Sequence, residues 1–246
     1  TQIYCPGSVE IPVAVPEQQV GGYRLEEELG RGTMGVVYKA VRCATGQAAA
    51  IKLILPQHET GLDAAQIFLR EASVLSQLNH PQIVKFFEFG LAERSDSESP
   101  QMFLAMEYVP VESWDCIASR LTMPKRFRIA CGVVSQILDA LAHAHALGLV
   151  HRDIKPSNLL LTRRAKRLKV KLADFGLAKN YVDAGFSGIT RDGQIRGTAA
   201  FMSPDQVIDC RNAQPTCDIY SAGATLYFLI AGRFPHEFPP DQSVFS

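Results

Sequence analysis

Two cations, a carboxylate, a proline and an amide fall within a short stretch of the chain, from His151 to Asn158. The stretch reads HRDIKPSN and lies between a helical pattern and the apolar run at residues 159–161. A surface loop has no structural need for this mixture. Phosphoryl transfer does need it, because a carboxylate orients a hydroxyl, a cation neutralises phosphate charge and an amide oxygen holds a metal. A second carboxylate, Asp174, follows in the tight apolar turn at residues 174–176. Each residue alone would suit a capping loop, but together they indicate a phosphate site.

A glycine-rich turn lies upstream, at residues 30–37, with the sequence GRGTMGVV. The pattern is weak evidence by itself, because an ordinary hairpin uses glycines for the same backbone freedom. Two observations favour phosphate binding. The turn joins two predicted strands, unlike the strand-to-helix turn of dinucleotide-binding folds. It is also followed by Lys52 inside an apolar strand, where a half-buried ammonium would be costly without a partner.

Glu71 is the predicted partner of Lys52. In the helix predicted over residues 61–78, apolar residues form an inward stripe, and Glu71 falls on it between Ile67 and Leu75. A carboxylate on a core-facing stripe also requires a partner. The alternative is an exposed glutamate at the edge of the stripe.

The composition bounds the class of protein. At 246 residues the chain can form one large domain or two lobes, and 47% apolar with 20% charged residues is an ordinary soluble composition. The formal net charge is zero, so no global field draws the protein to nucleic acid or to a membrane. A basic cluster lies at residues 163–171. We interpret it as a solvated hairpin between two strands, with a phosphate or lipid patch as the alternative.

The expected location is the cytoplasm. The six cysteines are scattered and form no CxxC pair, which indicates a reduced protein rather than a disulfide framework or a zinc site. The sequence shows no signal-peptide pattern and does not begin with Met. The apolar stretch at residues 219–232 is shorter than the roughly 20 residues that a membrane span needs. We therefore expect no membrane contact within this sequence, which could still be the cytoplasmic part of a larger, membrane-anchored chain.

The hydrophobic pattern changes character near residue 109. Residues 1–22 are predicted to form an extended leader. From there to residue 109, alternating apolar residues and turn residues predict strands at 23–29, 36–42, 48–55, 84–92 and 102–108, a helix at 61–78 and a polar loop at 95–101. After it, apolar residues from Phe127 to Ala144 at steps of three and four predict a helix that Gly148 ends. Further elements are predicted as short strands around Leu159 and Val170, a long loop over about 174–204 and a helix over 217–231.

The order and spacing of these motifs resemble the protein kinase family over about residues 23–240. The resemblance implies an α+β, two-lobed fold. Residues 23–109 would form a small lobe, an antiparallel sheet with one helix. Residues 110–246 would form a larger, mainly helical lobe that ends shortly after the central apolar helix.

The resemblance also implies chemical roles. Asp153 would orient the substrate hydroxyl and accept its proton. Lys155 would neutralise charge on the transferred phosphoryl group. Asn158 and Asp174 would hold two Mg²⁺ ions through oxygen ligands.

ATP is the implied nucleotide. The Lys52–Glu71 pair is similar to the kinase ion pair that directs the lysine to the α- and β-phosphates. The expected contacts comprise the glycine turn, the adenine slot, its back wall and the hinge: Leu29, Gly30, Gly32, Gly35, Val37, Ala50, Lys52, Met106, Glu107, Val109 and Leu160.

The neighbours of these residues are expected to pack. His151 and Phe175 have apolar surroundings, and by resemblance they join Leu75 and Phe86 in a stack of side chains that signals an assembled active state. Packing, rather than catalysis, is their predicted role.

Regulation is expected at Arg152, which directly precedes Asp153 and can pair with a phosphate on the long loop. Ser187 and Thr190 are the candidate acceptors, and ordinary loop hydroxyls are the alternative for each. The segment at 197–205, which contains Thr198, is similar to the GTxxYMAPE motif that ends a kinase activation loop. Lys155 and Thr198 follow the pattern of Ser/Thr kinases, most like bacterial members of the eukaryotic type.

The chain departs from the family pattern in three places. Asp205 replaces a glutamate that the family pairs with an arginine in a later helix. Val111 and Glu112 replace the usual glycine after the hinge, which alters the expected ribose contact. The helix at 218–231 is apolar nearly all round and should be covered on all sides. We therefore expect a fragment of a longer chain rather than a truncated form with exposed apolar surface.

Together these residues predict an ATP- and Mg²⁺-dependent protein serine/threonine kinase that transfers the γ-phosphoryl group of ATP to protein hydroxyls and has no nucleic-acid partner. One alternative is a pseudokinase or scaffold that binds nucleotide or partners without turnover, and the occupied catalytic positions argue against it. Another is a small-molecule phosphotransferase of related fold. The segment at 197–205, which would shape a peptide-binding surface, argues against that.

Overall fold

The computed structural model describes residues 19–32, 35–54, 75–94, 97–164, 167–175, 199–209 and 213–236. Contacts between residues divide the chain into two compact units. Unit 1 comprises Thr1–Asn79 and Val84–Pro110, and unit 2 comprises His80–Ile83 and Val111–Ser246.

Unit 1 contains an antiparallel sheet of six strands in the order β1-β2-β3-β4-β6-β5. The strands are β1 (Gln19–Val20), β2 (Tyr23–Arg31), β3 (Gly35–Arg42), β4 (Ala48–Ile54), β5 (Phe86–Arg94) and β6 (Ser97–Glu107). The predicted strands of this sheet are present. Strand β1 lies at the end of the predicted leader and pairs with β2 through a turn in which Gly21 and Gly22 have φ of 55° and 83°. Most of the helix predicted over 61–78 lies outside the described residues.

The polar loop predicted over residues 95–101 is largely strand, so that prediction is wrong. Strand β5 continues to Arg94 and pairs there with Ser97, while Ala92 pairs with Gln101. The side chain of Gln101 is buried and donates a 3.0 Å hydrogen bond to the carbonyl of Ile54. The polar residues suggested a loop. The pairing of β5 with β6 and the hydrogen bond from Gln101 to Ile54 instead give the polar groups partners within the sheet.

The two faces of this sheet differ in what they carry. One face packs a hydrophobic core that includes Tyr23, Ile51 and Phe103, all almost fully buried. Gly90 permits the close approach of the Phe103 ring, because a Cβ at Gly90 would lie 2.5 Å from it. The opposite face carries predicted nucleotide-binding residues and is described below.

Unit 2 is mainly helical. Its elements are α1 (Trp114–Ala118), α2 (Met123–Ala146), a 3₁₀ turn (Pro156–Asn158), the hairpin β7 (Leu159–Arg164) and β8 (Arg167–Leu172), α3 (Pro204–Ile208) and α4 (Pro215–Ala231). Helix α2 follows Thr122 and ends before Gly148, which has φ of 76° as predicted for a helix stop. Helix α4 ends at Gly232 with φ of 72°.

Helix α2 is the core helix of unit 2. It packs against α4 and β8. Its buried stripe follows the predicted period and consists of Ala130, Val133, Val134, Ile137, Ala140, Leu141 and Ala144. Phe127, predicted as the first residue of the stripe, is instead 55% exposed, because burial begins one turn later at Ala130. By length and composition α2 could cross a bilayer, but a buried core helix meets the same criteria.

Helix α4 is apolar on both a buried and an outward face. Leu229 and Cys217 are buried, whereas Ile219 is 50% exposed and Tyr220 and Tyr227 are also exposed. The indole nitrogen of Trp114 and Nε of Arg126 donate to the carbonyl of Leu229 at 3.2 and 2.7 Å. These contacts attach α1 and the start of α2 to the last turn of α4.

Candidate active site

Three residues of the HRDIKPSN stretch meet at the carboxylate of Asp153. Nζ of Lys155 lies 3.0 Å from Oδ2 of Asp153. Nδ2 of Asn158 donates to the same Oδ2 at 3.0 Å and to the backbone carbonyl of Asp153 at 2.7 Å. An amine and an amide thus hold one carboxylate oxygen from two sides. The arrangement can position a carboxylate toward an incoming hydroxyl.

The orientation of the Asn158 amide follows from these bonds. Because both neighbouring atoms of Asp153 are acceptors, the nitrogen of the amide faces Asp153. The amide oxygen Oδ1 is consequently the hard ligand that Asn158 can offer to a metal. The backbone of Asn158 is fixed as well, since its carbonyl accepts a 2.9 Å hydrogen bond from Ala173. Asn158 is itself almost fully buried.

Asp174 follows Ala173, and so the hydrogen bond from Ala173 to Asn158 brings the two predicted metal ligands close in the fold. Asp174 has φ of 55°, in the left-handed region that non-glycine residues rarely adopt. Such a conformation costs of the order of 1–3 kcal/mol and is typical of functional sites. Gly176 lies outside the described residues.

His151 is fully buried beneath this loop. Its Nε2 lies 3.0 Å from the carbonyl of Ala173, and its Nδ1 accepts a 3.2 Å bond from the backbone N–H of Asp153. Burial lowers the pKa of His151, which the nearby carboxylate of Asp218 partly opposes. The two contacts fit a neutral ring that is protonated on Nε2. The ring of Phe175 packs on it with centroids 4.5 Å apart.

Asp218 was missed as a site residue by the sequence reasoning. It lies in α4, is fully buried and accepts hydrogen bonds at 2.8 Å from the backbone N–H groups of His151 and Arg152. Nε2 of His145 lies 2.8 Å from the same carboxylate. Arg152 has φ of 64°, and this clamp holds it there. The available signal was a carboxylate within a helix that is otherwise almost entirely apolar.

In unit 1, strand register aligns predicted ATP-binding residues on one face of the sheet. Lys52 is the cross-strand partner of Val37, and Ala50 is the partner of Met106. Lys52 and Ala50 are two apart, so they share a face of β4. Leu104, the other partner of Lys52, lies on this face and was also missed, although its spacing from Met106 could have indicated it.

The glycine turn and the hinge segment lie at the ends of these strands. Leu29 and Gly30 are in β2, and Gly30 pairs with Val37. The backbone N–H of Gly32 donates to the carbonyl of Gly35 at 2.9 Å, and a Cβ at Gly35 would lie 2.2 Å from the carbonyl oxygen of Leu53.

Glu107, a predicted hinge residue, ends β6. Its backbone N–H donates to the carbonyl of Lys85 at 2.8 Å, and its carboxylate accepts from the N–H of Lys85 at 3.2 Å. Val109 follows and is buried. Leu160 lies in unit 2, on β7, where it pairs with Lys171. The remaining predicted site residues lie outside the described residues: Glu71, Ser187, Thr190 and Thr198.

Comparison with known proteins gives one consistent answer. The protein kinase domain family matches residues 23–245. The chain is 35% identical over 215 residues to the serine/threonine-protein kinase PknA of Mycobacterium tuberculosis, covering 87% of this chain and 48% of PknA. It is 36% identical over 224 residues to the serine/threonine-protein kinase pkn3 of Myxococcus xanthus, covering 87% and 38%. The chain thus spans about half or less of the length of these curated relatives.

A solved structure is also similar. The kinase domain of PknI from Mycobacterium tuberculosis aligns with a TM-score of 0.65 and 25% identity, covering 94% of this chain and 83% of that domain. The predicted two-lobed kinase fold and the resemblance to bacterial Ser/Thr kinases are confirmed by these matches. The chain belongs to the protein kinase domain family.

Proposed function

We propose that this chain transfers the γ-phosphoryl group of ATP to serine and threonine hydroxyls of protein substrates in the cytoplasm. The observation that carries the proposal is the grouping of Lys155 and Asn158 around the carboxylate of Asp153. The small lobe would comprise residues 23–109 and the larger lobe residues 110–246. The residues 1–22 precede them.

Asp153 would receive the substrate. Oδ2 is held by Lys155 and Asn158, so the carboxylate has a fixed direction and its other oxygen can accept a hydrogen bond from the hydroxyl. Holding the hydroxyl in line, and accepting its proton as the bond to phosphorus forms, is the work of the base in phosphoryl transfer. The ammonium of Lys155 would offset the negative charge of the transferred group.

The residues present fit a divalent metal. Oδ1 of Asn158 and the carboxylate of Asp174 are hard oxygen donors of the kind that Mg²⁺ prefers. Bound Mg²⁺ would supply charge neutralisation at the phosphates. The hydrogen bonds of Asn158 to Asp153 would keep the base and the metal ligand in a fixed relation.

The nucleotide would be held by residues of unit 1. Lys52, paired with Glu71, would contact the α- and β-phosphates, and the turn that contains Gly30, Gly32 and Gly35 would cover them. For adenine we propose the slot lined by Val37 and Ala50 with Met106 behind it. Leu29 would border this slot. Backbone groups of Glu107 and Val109 would form its hydrogen bonds.

Phosphorylation of the long loop is the proposed activating event. Arg152, held in place by Asp218, would pair with a phosphate on Ser187 or Thr190. Thr198 would take part in the segment that ends the loop. Mass spectrometry of ATP-treated protein should find phosphate between Lys179 and Arg196, and an active preparation without it would remove this proposal.

The activity is tested by transfer of radiolabel from ATP to a generic basic protein. We expect labelling by the wild type, and a loss of roughly 10²-fold or more in Asp153→Ala and in Lys52→Met. The exposed Asp115→Asn is the matched control and should keep full labelling. Equal labelling by all variants would defeat the proposal. Nucleotide binding without turnover in the wild type would instead favour a scaffold.

A further inference from the structure

The hairpin formed by β7 and β8 carries an unusual charge. Residues 159–172 contain six lysines and arginines and no carboxylate, although the chain as a whole has 25 Lys+Arg and 25 Asp+Glu. The rest of the chain is therefore six charges negative. The six cations of this hairpin therefore produce a local positive field, although the chain as a whole is neutral.

The cations of β8 stand on one face of a rigid strand. Arg167, Lys169 and Lys171 alternate with Val170 and Leu172, which are buried. Alternate residues of a strand point to the same side, so burial of Val170 and Leu172 turns the three cations the other way. Nζ of Lys171 donates to the carbonyl of Ile83 at 3.3 Å, and β8 itself packs against α2.

The described cations of the hairpin differ in their surroundings. Arg163 is balanced by Glu112, whose carboxylate lies 2.9 Å away. Arg167 and Lys169 are exposed. An anionic partner laid along β8 would meet the exposed Arg167 and Lys169.

The chemistry of the partner follows from spacing and from neighbours. Alternate residues of a strand are about 6.6 Å apart, which is also the repeat of alternate side chains in an extended peptide. Among the side chains that the structure describes within residues 159–172, none is an exposed large apolar group of the kind that inserts into a membrane surface. The same residues contain no aromatic side chain on which a nucleic-acid base would stack.

We propose that the exposed part of β8, formed by Arg167 and Lys169, is a docking surface for an extended acidic segment of a protein partner. Alternate carboxylates of that segment would meet the two cations in turn. These residues are separate from Asp153 and its neighbours, so docking here does not depend on phosphoryl transfer. The surface would raise the local concentration of partners that carry such a segment.

The test uses a fluorescein-labelled peptide of roughly 12 residues in which glutamate alternates with asparagine, a length that spans the face of β8. Fluorescence anisotropy at about 50 mM and about 200 mM salt gives the Kd. Arg167→Gln/Lys169→Gln should weaken binding about tenfold at the lower salt, and Lys169→Gln alone about threefold. The control Lys125→Gln/Arg128→Gln removes the same charge from exposed positions of α2 and should change the Kd less than twofold.

Thermal unfolding should leave all variants within a few degrees of the wild type, because the substituted side chains are exposed. Equal weakening by the β8 and α2 variants would reduce the effect to net charge and overturn the proposal, as would no binding by the wild type. Sedimentation with phosphatidylcholine–phosphatidylserine vesicles is the second arm. Vesicle binding that depends on Arg167 and Lys169 and is tighter than peptide binding would assign the surface to a membrane instead. Since neither arm requires turnover, an inactive protein leaves the result readable.

Discussion

The carboxylate of Asp218 accepts a 2.8 Å hydrogen bond from the backbone N–H of Arg152, and Arg152 has φ of 64° at that point. A fully buried side chain of α4 thus holds the residue before Asp153 in a conformation that its own side chain disfavours. The direction of the loop that carries Asp153 is therefore set from a helix far along the chain. Substitution of this anchor should affect stability and catalysis together.

Asp218→Asn should destabilise the protein by about 2–3 kcal/mol and lower kcat. An amide offers one acceptor oxygen where the structure uses both, so an N–H donor of the loop would face the amide nitrogen. Urea unfolding and radiolabel transfer measure the two effects. The exposed Asp115→Asn makes the same chemical change on α1 and should alter neither. If both variants behave alike, Asp218 does not anchor the loop.

Asn158→Ala should raise the Mg²⁺ concentration needed for half-maximal activity and lower kcat at saturating Mg²⁺. The first effect follows from loss of the Oδ1 ligand, and the second from loss of the hydrogen bonds to Asp153. Initial rates over a Mg²⁺ titration separate them. An unchanged Mg²⁺ dependence would mean that Asn158 positions Asp153 without binding metal.

Gly35→Ala should destabilise the protein by about 2 kcal/mol, because its Cβ would lie 2.2 Å from the backbone oxygen of Leu53. Gly132→Ala is the matched substitution in α2, where nothing lies within 4 Å of the added carbon. It should stabilise by about 0.5–1 kcal/mol through helix propensity. Thermal and urea unfolding of the pair test the prediction. Equal shifts in the same direction would contradict it.

Stability should fall as the pH decreases below about 6.5, the usual pKa of an unfolded histidine. Burial lowers the pKa of His151 in the folded protein, and burial also lowers that of His80. Between the folded and unfolded pKa values the unfolded chain binds protons that the folded chain does not. Each such histidine then contributes a slope of up to about 1.4 kcal/mol per pH unit.

The variant His151→Gln lacks the proton that His151 takes up on unfolding at low pH. Urea unfolding is measured at pH 7.5 and pH 5.5, about one unit on either side of the unfolded pKa. The variant should lose less free energy of unfolding between the two pH values than the wild type. The variant is expected to be less stable at the higher pH, because packing against Phe175 is altered. The difference between the two pH values, and not the absolute stability, is the readout. If the wild type and the variant lose the same free energy of unfolding between the two pH values, His151 does not take up a proton on unfolding.

Much of the fold could be predicted because local rules agreed with burial. The steps of three and four in α2 matched the buried stripe from Ala130 to Ala144, and Gly148 ended the helix where expected. Residues 95–101 were misjudged because their polarity, typical of loops, gave no sign that Gln101 has a buried partner in Ile54. Phe127 was misjudged because period alone does not show where packing against another element begins.

The centre of the site was predictable for a different reason. Asp153, Lys155 and Asn158 are close in sequence, so a local turn suffices to bring them together. Asp218 acts from a distant helix, and no local pattern assigns a buried carboxylate to a particular loop. The orientation of the Asn158 amide, which depends on two acceptors of Asp153, is likewise a property of the folded loop.

The distance in sequence between His151 and Asp218 has a consequence for synthesis. His151 precedes its anchor by 67 residues, so a nascent chain exposes the catalytic loop to solvent well before the anchor leaves the ribosome. Until then the backbone N–H groups of His151 and Arg152 lack their Asp218 acceptor, next to the left-handed turn at Arg152. A chain interrupted before α4 would therefore carry the motif at residues 151–158 without the hydrogen bonds that anchor its first two residues.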